Sequence, residues 1–226
     1  MLVLFVHGMG RTPFSGWPLL RHLRQAGLRT TTFGYTTAFE NFDSIKLRLI
    51  SRLSKVAGDE SYILIGHSLG GILIRAALNA LPEHVKRPHH VFLLGSPIQT
   101  SRLAVRFKNN LAYRALAGDC GQLLASPMRM NEIGSLNETT TSIAGVRGFA
   151  NGRGPFGSER NDGVVSITEI SAPWLSNQEQ VPVIHTLLPA SARVAKVILR
   201  EVCGNEQKGS PISRPKSSAP TRFSRR

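Results

Sequence analysis

The sequence predicts an α/β fold, a mostly parallel sheet of about six strands with helices on both faces. Three observations point to it. Apolar runs of strand length alternate with segments of helical periodicity through most of the chain. One such run, Tyr62-Ile63-Leu64-Ile65, turns through Gly66-His67-Ser68-Leu69-Gly70 into the apolar, alanine-rich stretch Gly71 to Leu78, a strand-to-helix turn of the kind that places a serine at the edge of a sheet. And 226 residues with 41% hydrophobic content suffice for one domain with a sound core.

Taken in order, the strands are expected at 2–6, about 30–35, 61–66, 90–95, 140–146 and 180–184, and the helices at 16–26, 42–57, 69–81 and 190–202. The 42–57 segment is the most periodic. Phe42, Ile45, Leu49, Leu53 and Val56 fall on one face while Lys46, Arg48, Arg52 and Lys55 mostly point away, a packing face with a solvated back. The irregular part is 97–139. It opens after the break Gly95-Ser96-Pro97, and Leu103, Phe107 and Leu111 then recur at helical spacing. The segment reads equally as a cap above the strand ends, which would help form a pocket and exclude water, or as one crossover helix with a long loop. Five basic residues in it, Arg102, Arg106, Lys108, Arg114 and Arg129, would favour a negatively charged substrate.

Ser68 is the candidate nucleophile. Glycines two before and two after it allow strand and helix to approach closely, and its hydroxyl would stand at a helix N-terminus that favours developing negative charge. The bland alternative is a serine capping a helix. A nucleophilic serine needs a base, and the base an orienting acid. Around this turn the chain order is serine, acid, histidine. His7, His22 and His67 precede or adjoin Ser68, and His84, His89 and His90 come before any suitable acid, which leaves His185 at the end of the last expected strand. Asp119 and Asp162 are the only aspartates after Ser68. Asp119 falls within the irregular part. Asp162, in Asn161-Asp162-Gly163 after the glycine-rich loop 147–161, is the expected acid, with Glu159 and Glu169 as fallbacks and an ordinary Asp-Gly turn as the plain alternative. Met9, in the glycine-bearing turn His7-Gly8-Met9-Gly10 after the first strand, and Leu69 are the expected backbone donors of an oxyanion hole. His7 is expected to be structural, fixing that loop.

Together VHGMG at 6–10, GHSLGG at 66–71, NDGVV at 161–165 and HTLLPASARV at 185–194 resemble a small lipase- or esterase-type member of the α/β-hydrolase superfamily across residues 1–203. The first apolar run already leads into the oxyanion loop, as in minimal members that lack the first two strands. The resemblance implies a Ser68–Asp162–His185 triad, Met9 and Leu69 as oxyanion donors, and hydrolysis of a small-molecule acyl ester through an acyl-enzyme, with no cofactor. A thioesterase or acyltransferase would use the same machinery. A non-enzymatic scaffold is the remaining alternative, and an intact triad argues against it. The resemblance covers a catalytic domain at 1–203, within which 97–139 keeps its two readings, a cap or lid insertion or a crossover helix with a long loop, and leaves 204–226 unmatched.

The net charge of +14 raises nucleic-acid binding as a hypothesis. Its position tempers that. Lys208, Arg214, Lys216, Arg222, Arg225 and Arg226 stand against Glu206 alone in a Ser/Pro-rich tail that reads as disordered. The remainder is spread over solvated helix faces with no aromatic-plus-basic recognition motif, so nucleic acid is not expected as the primary partner. Weak contact of the tail with anionic membranes is the better expectation. No H-E-x-x-H or C-x-x-C occurs, so no metal site is expected. Two cysteines and no recognisable leader or membrane span place the expected location in the cytoplasm, with membrane association through the tail. The oligomeric state is left open.

Overall fold

A computed structural model describes residues 1–58, 60–148 and 154–206; the side chains of 204–206 are outside that description. Part of the glycine-rich loop 147–161, and the tail beyond Glu206, therefore lie outside the described residues. Six strands, β1 (Leu2–Val6), β2 (Arg29–Phe33), β3 (Tyr62–His67), β4 (His90–Leu94), β5 (Thr140–Gly145) and β6 (Asn177–Val181), form one sheet in the order β2-β1-β3-β4-β5-β6. Every pairing is parallel. The order reverses between β1 and β3, and loops leaving the C-terminal ends of strands at such a reversal border the crevice where α/β sheets bind ligands.

The two-residue alternation of a strand sorts the core into two layers. Val3 and Phe5 of β1, Ile63 and Ile65 of β3, and Phe92 and Leu94 of β4 pack against α1 (Trp17–Gln25) and α7 (Ala192–Glu206). Leu4, Val6, Tyr62, Leu64, Val91 and Leu93 face the opposite way, against α2 (Phe42–Val56) and α3 (Leu69–Asn79). Buried side chains on both faces explain why the central strands are apolar without alternation. All five apolar positions of α2 named from the sequence are buried. The Asn41 side chain caps that helix by accepting from Ser44 N at 2.8 Å.

The crossover from β4 to β5 holds three helices: α4 (Arg102–Phe107), α5 (Leu111–Leu124, kinked at Gly118) and α6 (Pro127–Glu132). The single helical stripe expected through Leu103, Phe107 and Leu111 does not exist. Lys108-Asn109-Asn110 interrupts it, and Asn110 starts a new helix by accepting from Tyr113 N. Phe107 and Leu111 are exposed rather than packed. What anchors the crossover to the core is its later part, with Cys120, Leu123, Leu124, Met130, Ile133 and Leu136 buried against the α2–α3 layer.

Two other boundaries differ from expectation. The last strand lies three residues earlier than 180–184, because Pro182 has no N–H to offer a ladder and the polar Asn177-Gln178-Glu179-Gln180 pairs with β5 instead. An edge strand with a half-solvated face needs no apolar run. The final helix runs to Glu206, past the expected end at 202 and into the first residues assigned to the tail.

Close contact at the β3–α3 turn permits no side chain at its glycines. A Cβ on Gly66 would lie 2.4 Å from the Gly71 Cα, and one on Gly70 would lie 2.2 Å from the Val6 carbonyl oxygen of β1. Both neighbours are backbone and cannot rotate away. Gly70→Ala should therefore destabilise the fold by about 1–3 kcal/mol. Urea unfolding should show a lower midpoint at an unchanged slope; an unchanged midpoint would mean that α3 does not press on β1.

Candidate active site

Ser68 sits where β3 ends and α3 begins, with φ 53° and ψ −122°. It is the one non-glycine residue with positive φ among those described. Such a conformation costs on the order of 1–3 kcal/mol and persists only where neighbours hold it. Here Ser68 N donates to the Leu94 carbonyl of β4 at 2.9 Å, and the glycine contacts fix the turn from beneath. The Ser68 side chain makes no capping hydrogen bond to α3. Its hydroxyl is therefore not spent on the helix, as it would be in a plain capping serine.

His185 begins a 3-10 turn (His185–Ala190) beyond the end of β6. Its Nδ1 lies 2.7 Å from Asp162 Oδ2, and both residues are buried. A second link joins them, since His185 N donates to the Asp162 carbonyl at 2.9 Å. The carboxylate only accepts, so Nδ1 carries the proton and Nε2 is left as the basic nitrogen. Asp162 Oδ1 accepts from Val164 N and Val165 N at 2.9 and 2.8 Å, which fixes its rotamer. The Asp-Gly pair does form a turn, and the turn holds the carboxylate.

Gly95 was legible in the sequence only as a break after a strand, yet it makes room for this pair. Its φ is 53°, and a Cβ there would stand 2.9 Å from His185 Nδ1 and 3.0 Å from Asp162 Oδ2. Gly145, at the end of β5, is packed as tightly against Asp162, with a built Cβ 2.7 Å from the Asp162 Cβ. His67 was also missed. Its ring lies 4.8 Å from that of His185, and its Nε2 is 3.1 Å from the His185 carbonyl oxygen. Because the carbonyl accepts, His67 Nε2 must donate, leaving a buried Nδ1 without a hydrogen-bond partner among the described residues. A glycine-serine motif gives no signal for that contact across 118 residues.

The turn after β1 comes to the same place. A Cβ on Gly8 would lie 3.0 Å from His67 Nδ1 and 3.1 Å from the Ser68 Cβ. Met9 follows Gly8, partly buried against the core, and Leu69 is the buried first residue of α3, where a helix leaves its N–H groups unpaired within itself. His7 holds this loop. Its Nδ1 bonds the Gly8 carbonyl at 2.8 Å, its ring stacks on Tyr35, and Tyr35 Oη donates to the His7 carbonyl at 2.7 Å.

The other carboxylates are engaged elsewhere. Asp119 bonds Arg129 at 2.7 Å and accepts from Phe42 N, and the Arg129 hydrogen bond holds its carboxyl below the ordinary value. Glu159 bonds Arg102 and Thr168 N. Burial would raise its carboxyl, but the hydrogen bonds from Thr168 and Arg102 outweigh that and hold it at about 2. Glu169 accepts from Arg102 N and Ser166 N at 2.7 Å each, clamping α4 to the Asp162 loop. Of the five basic residues expected to favour an anionic substrate, Arg102 and Arg129 are thus committed to structural pairs. Among the described residues no group of three or more His, Cys, Asp or Glu is placed to hold a metal ion.

Residues 3–203 match the model of the alpha/beta hydrolase family. A probable esterase, PIR7A, from Oryza sativa subsp. indica is 28% identical over 91 residues, which are 36% of this chain and 35% of that protein. The aligned stretch thus spans about a third of the curated relative. Among solved structures, a lipase of Bacillus licheniformis, BlEst2 in its propeptide form, superposes with a TM-score of 0.66 at 16% identity, covering 96% of this chain and 52% of that one. The NocB thioesterase domain from the nocardicin cluster gives a TM-score of 0.60 at 15% identity, covering 90% and 94%. At such identities the solved structures speak for the fold.

The buried histidines set a pH dependence. Burial, then the nearby His185, drive the His67 imidazole well below 6.5, and burial lowers His90 to about 4. The unfolded chain binds these protons near pH 6.5 and the native state does not, so the unfolded state holds more protons below that pH. Stability should be full above about 6.5 and fall as pH drops toward 4. His67 resonances should stay fixed as an NMR titration passes through 6.5; a shift there would show that the ring is not sealed from water.

Proposed function

This chain belongs to the alpha/beta hydrolase family, and we propose that it is a serine hydrolase that cleaves a small-molecule carboxylic ester through an acyl-enzyme. The observation that carries this reading is the buried 2.7 Å Asp162–His185 pair at the strand edge where the strained Ser68 keeps its hydroxyl free of its own helix. The name of the rice relative favours an ester over other acyl substrates.

In this reading Ser68 Oγ attacks the acyl carbonyl while His185 Nε2 takes its proton. Asp162 keeps His185 in the required tautomer and stabilises the imidazolium. The N–H groups of Met9 and Leu69 bind the tetrahedral oxyanion. His185 then protonates the leaving alcohol, and a water that it activates releases the acid. Residues 1–203 make the catalytic domain, with the 97–139 segment as its cap. The tail from 204 adds a weak attraction to anionic surfaces through its six cations. No described helix is long and apolar enough to cross a membrane.

A fluorophosphonate probe should label the native protein and not Ser68→Ala, with the circular dichroism of the two alike. Labelling that persists in the variant would place the nucleophile elsewhere. A panel of chromogenic esters and acyl thioesters from acetyl to palmitoyl separates the ester reading from thioester hydrolysis.

Asp162→Asn should lower kcat by about 10³–10⁴, because the amide stabilises the wrong histidine tautomer. Asp119→Asn should leave kcat within a fewfold, since that carboxylate is bonded to Arg129 and Phe42 N. If steady-state kinetics give the reverse order of severity, the acid lies in the crossover and not in the 161–165 turn.

A further inference from the structure

We propose that the α4–α5 corner is a docking surface for an anionic lipid bilayer. Every residue from Val105 to Ala112 is exposed, including Phe107 and Leu111, the latter 80% exposed. Leu116 on the next turns of α5 is 70% exposed. The loop after β2 joins the same surface, because Thr37 Oγ1 donates to the Leu116 carbonyl at 2.8 Å, and Phe39 in that loop is 90% exposed. Four large apolar side chains exposed on segments that adjoin one another exceed the single scattered exposure of an ordinary surface.

Charge selects the occupant. Between Arg102 and Gly118 there is no acidic residue. Arg106, Lys108 and Arg114 are exposed and form no ion pair among the described residues, whereas Arg102 is paired with Glu159. The two carboxylates flanking the surface are already engaged, Glu40 by Arg48 and Asp119 by Arg129. Apolar tips that can enter the acyl boundary, interleaved with cations that stay level with phosphates, match an anionic membrane face. An acidic protein groove would offer the charge without the apolar depth.

The surface lies on the side of the sheet that carries Ser68. Seven residues, 95–101, separate β4 from α4, which is bonded through Arg102 N to Glu169, beside the Asp162 loop. The Phe39 loop leaves the C-terminal end of β2. Docking would therefore bring the strand ends toward the bilayer. The surface is separate from the tail, and its function is binding, so the proposal stands or falls independently of the hydrolase reading.

The test is co-sedimentation of the full chain, carrying Ser68→Ala so that no lipid is turned over, with vesicles of phosphatidylcholine alone or mixed with phosphatidylglycerol. Binding should require phosphatidylglycerol and weaken with salt. Arg106→Gln with Lys108→Gln and Arg114→Gln should reduce partitioning by roughly a hundredfold. Leu111→Ser with Leu116→Ser should reduce it at least about tenfold, from lost apolar insertion. Both variants alter exposed positions, and circular dichroism should show native folding. Replacing the six tail cations by Gln in the full chain should lower binding too, but leave a phosphatidylglycerol-dependent binding that the corner variants remove. The proposal is overturned if the parent binds neither vesicle or both equally, if both corner variants bind like the parent, or if the tail variant alone abolishes binding.

Discussion

The approach of α3 to the backbone of β1 and β3 is the constraint on which the rest depends. Gly66 and Gly70 let the helix start against the sheet with no side chain between them. That closeness forces Ser68 into a conformation that only glycine adopts without strain. A slightly wider gap would relax the turn and allow the hydroxyl to fold back on the first turn of α3 as an ordinary cap. The same contact sets Gly8 against Ser68, so the loop after β1 is located by the turn and not by its own sequence alone.

The second half of the site is assembled by small residues at the ends of other strands. Asp162 and His185 are joined by backbone and side chain, so neither can move without the other. The pair fits because a glycine, Gly95, directly follows β4 and another, Gly145, ends β5. His67, next to Ser68, bonds the His185 carbonyl and ties the two halves across the sheet edge. Keeping His67 neutral serves this arrangement. A charged imidazole there would repel any proton arriving on His185, and burial prevents it.

Some of this was legible in the sequence because local chemistry and tertiary packing agree. The α2 stripe, the central apolar strands and the glycine-serine turn each have one structural outcome at this length and composition. The crossover misled for the opposite reason. Leu103, Phe107 and Leu111 carry helical spacing, but Asn110 offers a cap that ends one helix and begins another, and no core waits beneath Phe107 and Leu111. Ser101, Asn110 and Ser126 all cap helices, with bonds to Ala104, Tyr113 and Arg129 N, so the three-helix division could have been read from caps in preference to periodicity. The edge strand β6 hid behind polar residues, because an apolar run is the mark of a central strand. The roles of Gly95 and His67 were not readable at all, since they arise from contacts between distant segments.

The crossover is tied down unevenly, and that limits how it can act. Its root is held by Arg102 to Glu159 and Glu169, by Ser101 N to the Leu124 carbonyl, and by buried side chains from Cys120 to Leu136. Low-stability segments that open readily have few such buried contacts. The described root has many, so hinged opening of the whole segment would have to break the Glu169 clamp that also borders the Asp162 loop. Swinging the segment aside would therefore disturb the proposed acid. A segment held in this way is built as a fixed wall, with its most exposed stretch the corner from Val105 to Ala112. Selection of substrate would then rest on side chains already in place around Ser68, and the exposed corner would govern where the molecule sits, not how it opens.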